Sequence, residues 1–410
     1  MEDKMQSQDT QARQPENQGS GEKDMVVMTV NKILNEARKQ RASDILIEPL
    51  DDSLQIRYRI DGVLYKSLVL PKSMHESVST RVKVISGLDI SEHRLPQDGR
   101  FKISFDKSEI DFRVSVVPSS MGEKVTLRLL DRSSVSLDIN SLGYDNRSIE
   151  IFKRNLLKPF GMIIVCGPTG SGKTTALYSA LKFSDSIEKN IVTVEDPVEY
   201  QMYGINQVAV SEDIGLTFAK TLRSILRQDP DVILVGEVRD FETADIAVKS
   251  ALTGHLLLTT LHTISAVGAI VRLINMGIEP FLISSSCLLI VSQVLIRLLC
   301  PHCKEPWQPS EAIIKEFEHY KLVFKPGTVI YDKKGCPLCH NTGFMGRKAL
   351  AESLEVNSKI KDLINANASE KQVRDMAISD GMVLLREQGL KLVLEGATSF
   401  EEVLRVTSPE

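Results

Sequence analysis

Eight consecutive residues, GPTGSGKT from Gly167 to Thr174, have the composition and spacing of a phosphate-binding loop, Gly-x-x-x-x-Gly-Lys-Ser/Thr. Gly167, Gly170 and Gly172 allow the backbone to curl until successive N–H groups point into one cavity. The apolar run before the loop, Met162 to Cys166, reads as a buried strand. The segment after it, Thr175 to Phe183, reads as a helix whose N-terminus adds positive partial charge. On this reading Gly167, Pro168, Thr169, Gly170, Ser171, Gly172, Lys173, Thr174 and Thr175 surround the phosphates of a nucleoside triphosphate. Lys173 reaches the β- and γ-phosphates, and the Thr174 hydroxyl ligates Mg²⁺. A chance match in a glycine-rich turn is the competing explanation, and the strand–loop–helix context weighs against it.

A second chemical element is DVILVGE, Asp231 to Glu237: a short apolar strand that delivers an acid at its carboxyl end. In an open sheet that end faces the ligand, so Glu237 is the candidate for orienting or deprotonating the attacking water. The acid that often precedes it in such a strand is replaced by Gly236. Negative charge for Mg²⁺ must then come from elsewhere, and TVEDPVEY supplies Glu195, Asp196 and Glu199 after another apolar run. The alternative is a cluster of acids favoured at a helix start. His255 and His262 flank the apolar run in LTGHLLLTTLHT. One of them has the chemistry to sense a γ-phosphate, although a lone histidine beside a strand is more often structural. Arg57 and Arg59 on one expected strand, Arg81 on the next helix, and Arg223 and Arg227 four residues apart are guanidinium candidates for phosphoryl charge; each is equally readable as a solvated or ion-paired side chain.

The chain has six cysteines. Cys166 and Cys287 stand alone in apolar runs and read as core. Cys300-x-x-Cys303 and Cys336-x-x-Cys339 have the spacing that lets both sulfurs of each pair reach one tetrahedral Zn²⁺. Four thiolates leave no open position, so such a zinc is structural rather than catalytic.

These residues must be positioned by ordinary globular structure. The chain has 410 residues, 42% hydrophobic and 25% charged, with a net charge of −4. The acidic balance and the lack of interleaved basic and aromatic residues argue against a nucleic-acid-binding module. The polar first residues do not read as a signal peptide. The most apolar stretch, Phe281 to Cys300, carries Ser284, Ser285, Ser286, Gln293 and Arg297, which suits a buried helix better than a membrane span. A cytoplasmic location follows, with any membrane contact made through partners. Residues 1–24 read as a disordered tail. Residues 25–132 begin with a helix from about Met25 and continue as alternating strands with an Asp61-Gly62 hairpin turn and a helix from Pro71 to Ile85. They form an α+β domain with a mostly antiparallel sheet. Residues 133–145 read as a linker. Residues 146–298 alternate helix and apolar strand, as a parallel α/β sheet requires. Residues 299–345 hold the cysteines, and 346–410 read as a helical subdomain.

Taken together, GPTGSGKT, TVEDPVEY, ILRQDPDVILVGEVRD, ALTGHLLLTTLHT and the paired C-x-x-C resemble the secretion ATPase superfamily. More narrowly they resemble the type II secretion and type IV pilus assembly ATPases, the GspE/PilB group, from about residue 25 to residue 400. The resemblance implies an α/β fold: a PAS-like domain, a RecA-like P-loop ATPase domain, a zinc-binding tetracysteine subdomain and a helical C-terminus. It implies a ring homohexamer with ATP, Mg²⁺ and Zn²⁺, in which Arg57, Arg81, Arg223 and Arg227 reach the phosphates. It also strengthens Glu195, Asp196, Glu199, His255 and His262 as site residues. The implied work is assembly of a pilus or pseudopilus at the inner membrane, through a platform protein and a membrane adaptor. The chain departs at Leu46, where a histidine is common, and in having only the polar tail before Met25, where many relatives carry a membrane-docking domain. Two rivals are a DNA-uptake or conjugation ATPase and a nucleotide-gated adaptor with negligible turnover.

Overall fold

The computed structural model describes residues 21–105, 108–131, 137–185, 187–324 and 328–407. The chain divides into two units, Met1–Asp131 and Arg132–Glu410.

The first unit opens with α1 (Gly21–Lys39), followed by β1 (Ala42–Pro49), β2 (Ser53–Ile60), β3 (Val63–Pro71), α2 (His75–Ile85), β4 (Gln97–Phe105), β5 (Ser108–Ser119) and β6 (Gly122–Asp131). The strands form one antiparallel sheet in the order β3-β2-β1-β6-β5-β4. Strand β2 shows why: Leu54, Ile56, Tyr58 and Ile60 alternate inward, which puts Arg57 and Arg59 on the opposite face. Asp61 and Gly62 both take positive φ, as the tight hairpin demands. The inward face packs with Val30, Ile33 and Leu34 of α1 and Val78 and Val82 of α2. Two expectations shift here. The first helix starts at Gly21 rather than near Met25, because its polar opening turn carries no apolar periodicity. Pro71 ends β3, and a 3₁₀ turn over Lys72–Met74 precedes α2. The disordered-tail reading of residues 1–20 lies outside the described residues.

The second unit contains α3 (Asn146–Leu156), β7 (Gly161–Cys166), α4 (Lys173–Ser184), β8 (Ile191–Glu195), β9 (Asn206–Ala209), α5 (Phe218–Ile225), β10 (Val232–Val235), α6 (Phe241–Leu252), β11 (Leu256–Leu261), α7 (Ala266–Asn275), α8 (Pro280–Ser286) and β12 (Cys287–Leu299). It continues with β13 (Glu305–Trp307), α9 (Glu311–His319), β14 (Ile330–Asp332), β15 (Phe344–Glu355), α10 (Ser358–Asn365), α11 (Glu370–Ser379), α12 (Leu385–Leu394) and α13 (Phe400–Val406). Its main sheet has the order β15-β12-β7-β11-β10-β8-β9, parallel throughout except for β15. Strands β7, β8, β10 and β11 are buried on both faces, which is why β7 and β10 read as unbroken apolar runs and β8 and β11 as apolar runs interrupted by buried threonines and Glu195. Phe152 and Leu177 cover one face; Leu222, Val248 and Leu273 cover the other. The fold class is the expected one, an α/β unit of RecA-like type preceded by a small antiparallel unit.

Three expectations are corrected in this unit. The stretch from Phe281 is a helix only to Ser286; Cys287–Leu299 is a strand seated between β7 and β15. Burial on both faces removed the alternation that would have marked it. Residues 346–410 are not wholly helical, because Phe344–Glu355 is β15. Its Ala, Leu and Glu content favours helix locally, but pairing along β12 overrides that preference. The linker reading also extends too far. Residues 133–136 lie outside the described residues, but Ile139 and Tyr144 are core residues of this unit.

Strand β12 extends beyond the main sheet's partner β7 into a third apolar cluster, where Val294 and Ile296 meet Phe317, Leu390 and Val403. A buried ion pair closes that junction: Arg297 Nη2 donates to Glu402 Oε2 at 2.7 Å, and the Arg297 backbone N–H donates to Oε1 at 3.1 Å. Burial pushes the Glu402 carboxyl up, but the guanidiniums of Arg405 and Arg297 outweigh it and hold it below the ordinary range. Glu402→Gln should therefore lose about 3–5 kcal/mol of stability at neutral pH, by removing the negative charge paired with the buried Arg297 guanidinium. A depressed carboxyl contributes stability above its unfolded pKa and loses it as pH falls through the folded value. Urea titrations should accordingly show the gap between wild type and variant narrowing in acid.

Candidate nucleotide site and tetracysteine cluster

The loop between β7 and α4 is held by its glycines for different reasons. Gly167, Gly170 and Gly172 have φ of +144°, +76° and +89°. A Cβ on Gly167 would strike the backbone oxygen of Gln293, and one on Gly172 would lie 2.8 Å from Gln293 Nε2; at Gly170 only the backbone angle demands glycine. Pro168, Thr169 and Gly170 form an exposed crest, while Ser171 is buried. Gly172 caps α4 without a side chain, so the leading amides of that helix stay open to an anion. Lys173 is buried, and its ammonium donates to the carbonyls of Gly167 at 2.8 Å and Pro168 at 3.1 Å. Burial lowers its pKa, while the charge of Glu237 acts in the other direction. Thr174 is exposed beside the crest, and Thr175 is half-buried.

Glu237 follows β10 and His262 follows β11, and both strands run parallel to β7 within three adjacent positions of the sheet. The loop, Glu237 and His262 therefore converge at the carboxyl ends of neighbouring strands. His262 Nε2 lies 3.3 Å from Glu237 Oε2, and the Arg239 guanidinium pairs with Oε1. Gly236 is fixed by its N–H to Val194 O at 2.8 Å and by the Thr260 hydroxyl on its carbonyl at 2.7 Å. A side chain there would press on Glu195 Cα and Val194 O, which explains a glycine where an acid was sought.

Other expected site residues go elsewhere. Glu195 turns inward: it accepts from Tyr178, from Thr193 Oγ1 at 2.5 Å and from Gln207 Nε2 at 3.1 Å, so both oxygens accept from donors of the fold. Asp196 is exposed and Glu199 half-buried beyond it; the negative charge of Asp196 acts on Arg239. His255 is also corrected. Its carbonyl accepts from the Gly161 N–H, and its ring Nδ1 lies 3.0 Å from Ser250 O. That is the amino-terminal edge of the sheet, and the six residues of β11 put it roughly 20 Å from the loop. Arg227 folds back on α5, donating to Arg223 O at 2.8 Å, and the neighbouring Gln228 carbonyl is bound by Asn190 ahead of β8. It too sits at the amino-terminal edge of its own sheet, away from its own loop. Arg223 pairs with Glu242 at 2.7 Å. In the first unit Arg57 is clamped by Glu48 through two hydrogen bonds, at 2.6 and 2.9 Å, and Arg59 pairs with Asp44 at 3.2 Å. Arg81 Nε is buried with no hydrogen-bond partner among the described residues.

Three contributors escaped the sequence reading. Arg239 lies two residues after Glu237, and that proximity was a usable signal. Tyr178 lies on the buried face of α4, where its hydroxyl meets Glu195. Gln293 was hidden inside the stretch read as helix.

The four cluster cysteines bring their sulfurs within 4.8 Å of one another. Cys300–Cys336, Cys303–Cys339 and Cys336–Cys339 sulfur separations are 3.9, 3.8 and 3.7 Å. A tetrahedron with metal–sulfur bonds of 2.3 Å has edges of about 3.8 Å, so the donor set fits zinc. Burial pushes the Cys339 thiol up, but the N–H groups of Cys336 and Gly343 aimed at its sulfur bring it to about 7.

Comparison with known proteins agrees with this architecture. The family described as Type II/IV secretion system protein matches residues 20–405. The type IV pilus assembly ATPase PilB of Myxococcus xanthus is 49% identical over 389 residues, covering 94% of this chain and 68% of that protein. The type II secretion system ATPase E of Vibrio cholerae is 47% identical over 382 residues, covering 93% and 75%. Among solved structures, the ATPase DotB of Yersinia pseudotuberculosis superposes with a TM-score of 0.68 at 19% identity, covering 97% and 96%, a likeness of fold.

The Tyr178–Glu195 contact anchors the phosphate-loop helix to β8. Tyr178→Phe removes a hydrogen bond to a charged group and should lower unfolding stability by about 1.5–3 kcal/mol, read from denaturant curves of the full chain.

Proposed function

Because the chain belongs to the type II/IV secretion system protein family, we propose that it hydrolyses ATP to ADP and phosphate to drive assembly of a pilus or pseudopilus. The observation that carries this reading is the convergence of the phosphate loop, Glu237 and His262 at the carboxyl ends of β7, β10 and β11.

The curled amides of Gly167–Gly172 and the amino end of α4 bind the β- and γ-phosphates. Lys173 exchanges its loop carbonyls for phosphate oxygens and keeps its charge in the pocket. The exposed Thr174 hydroxyl would hold Mg²⁺, with Asp196 acting through its water shell. Mg²⁺ supplies neutralisation of the charge that grows on the phosphate oxygens. Glu237 orients the attacking water and accepts its proton, and His262 fixes the carboxylate and faces the γ-phosphate. Arg239 screens Glu237 until nucleotide enters. Arg57, Arg81, Arg223 and Arg227 would serve as charge clamps on the phosphates in a ring homohexamer. Attachment is peripheral, at the cytoplasmic face of the inner membrane, through a platform protein and an adaptor. No helix among the described residues is long and apolar enough to cross a membrane. Cys300, Cys303, Cys336 and Cys339 hold one structural Zn²⁺, which locks the ends of a long insertion together.

Glu237→Gln should bind ATP normally and turn it over at least about a hundredfold more slowly, the low end for loss of a positioned base. Equal, slow hydrolysis by wild type and variant would reject the motor in favour of a nucleotide-gated adaptor. Stimulation of the rate by DNA instead of by platform protein would favour nucleic-acid transport. Metal analysis should find about one zinc per chain, and Cys303→Ser with Cys339→Ser should abolish it while leaving ATP binding intact. A metal-free wild-type chain would remove the zinc assignment.

A further inference from the structure

Gln293 lies buried in β12 directly beneath the phosphate loop, and its side chain joins two partners. Its Nε2 donates to the carbonyl of Ser171 at 2.6 Å. Its Oε1 accepts from the hydroxyl of Tyr144, which is also buried. Chemistry fixes this orientation. The Ser171 carbonyl is an acceptor only, so the amide must present nitrogen to it and oxygen to the phenol. Burial keeps the phenol protonated, so it remains a donor.

Tyr144 is itself immobilised. Gly143, at φ +88°, lies against the backbone of Ala349 in β15, and Asp145 caps α3 through the Ser148 N–H at 3.0 Å. The Tyr144 ring lies 6.3 Å from that of Phe152. The phenol is thus a fixed post, and Gln293 is a beam from it to the loop.

In a trans peptide the C=O of one residue and the N–H of the next point in opposite directions. Drawing the Ser171 carbonyl down toward Gln293 therefore turns the Gly172 N–H up, into the cavity that phosphates occupy. Gly172 can approach the Gln293 amide, and Gly167 the Gln293 backbone, only because neither has a Cβ. We propose that Tyr144 and Gln293 are positioning residues for nucleotide binding: their hydrogen-bonded strut sets the direction of the Gly172 amide. This inference rests on the phosphate-loop reading above and adds to it the pair of residues, outside the loop, that determine how tightly the loop grips.

The test uses the full chain as wild type, Tyr144→Phe and Gln293→Met, measuring ADP and ATP affinity, steady-state hydrolysis and thermal unfolding. Loss of one hydrogen bond that orients the loop should weaken ADP and ATP binding in parallel and raise KM by about three- to tenfold. kcat should hold, since Glu237 and His262 are untouched. Amide exchange at Gly172 should quicken in the nucleotide-free variants. A lowered Tm with unchanged affinities and KM would make the strut purely structural and overturn the proposal. Tyr144→Phe differs by one hydroxyl, so it decides the matter alone if Gln293→Met does not fold. A wild-type chain that binds neither nucleotide would instead overturn the phosphate-loop reading, and the strut with it.

Discussion

The backbone pairing of β12 with β7 is the constraint on which the rest of the second unit depends. One half of β12 runs parallel to the strand that delivers the phosphate loop. Its middle places Gln293 under that loop. From Leu289 to Leu299 it pairs antiparallel with β15, and its far half enters the C-terminal apolar cluster and ends immediately before Cys300. A single extended segment thereby links the sheet, the phosphate site and the tetracysteine cluster. An extended strand transmits position along its length more rigidly than a loop would, because its backbone is tied to β7 up to Ser292 and to β15 from Leu289 to Leu299.

The charged groups follow from that scaffold. Parallel strands put all their carboxyl ends on one edge, and the acid and histidine that end β10 and β11 meet there without any long connection. Glu237 is mostly buried, and the Arg239 guanidinium compensates its negative charge at close range while His262 Nε2 lies beside its other oxygen. The same economy governs the core. Glu195, Glu402 and Gln293 are buried polar groups, and each has its oxygens accounted for by donors of the fold.

Most strands of both units were legible from apolar pattern and turn chemistry. The β2–β3 hairpin is specified by Asp61-Gly62, and β7, β8 and β10 by short apolar runs bounded by polar residues. The failures have different causes. Periodicity distinguishes helix from strand only when one face is wet, and β12 is dry on both. The residues of β15 favour helix locally, and only its pairing with β12 makes it a strand. Likewise Ile139 and Tyr144, in a Ser-rich stretch that resembled a linker, are core residues because α3 and β15 close over them.

What the chain determined by itself was whatever is local. The spacing of GPTGSGKT, the acid at the end of DVILVGE and the two C-x-x-C pairs each act over a few residues, and the backbone geometry they need is set by those residues. What only the tertiary structure decided was which distant groups meet. His262 reaches Glu237 while His255 does not, because six residues of buried strand separate them. Glu195 faces Tyr178 rather than the loop, and Gln293 faces Ser171, because strand order and register bring together residues far apart in sequence.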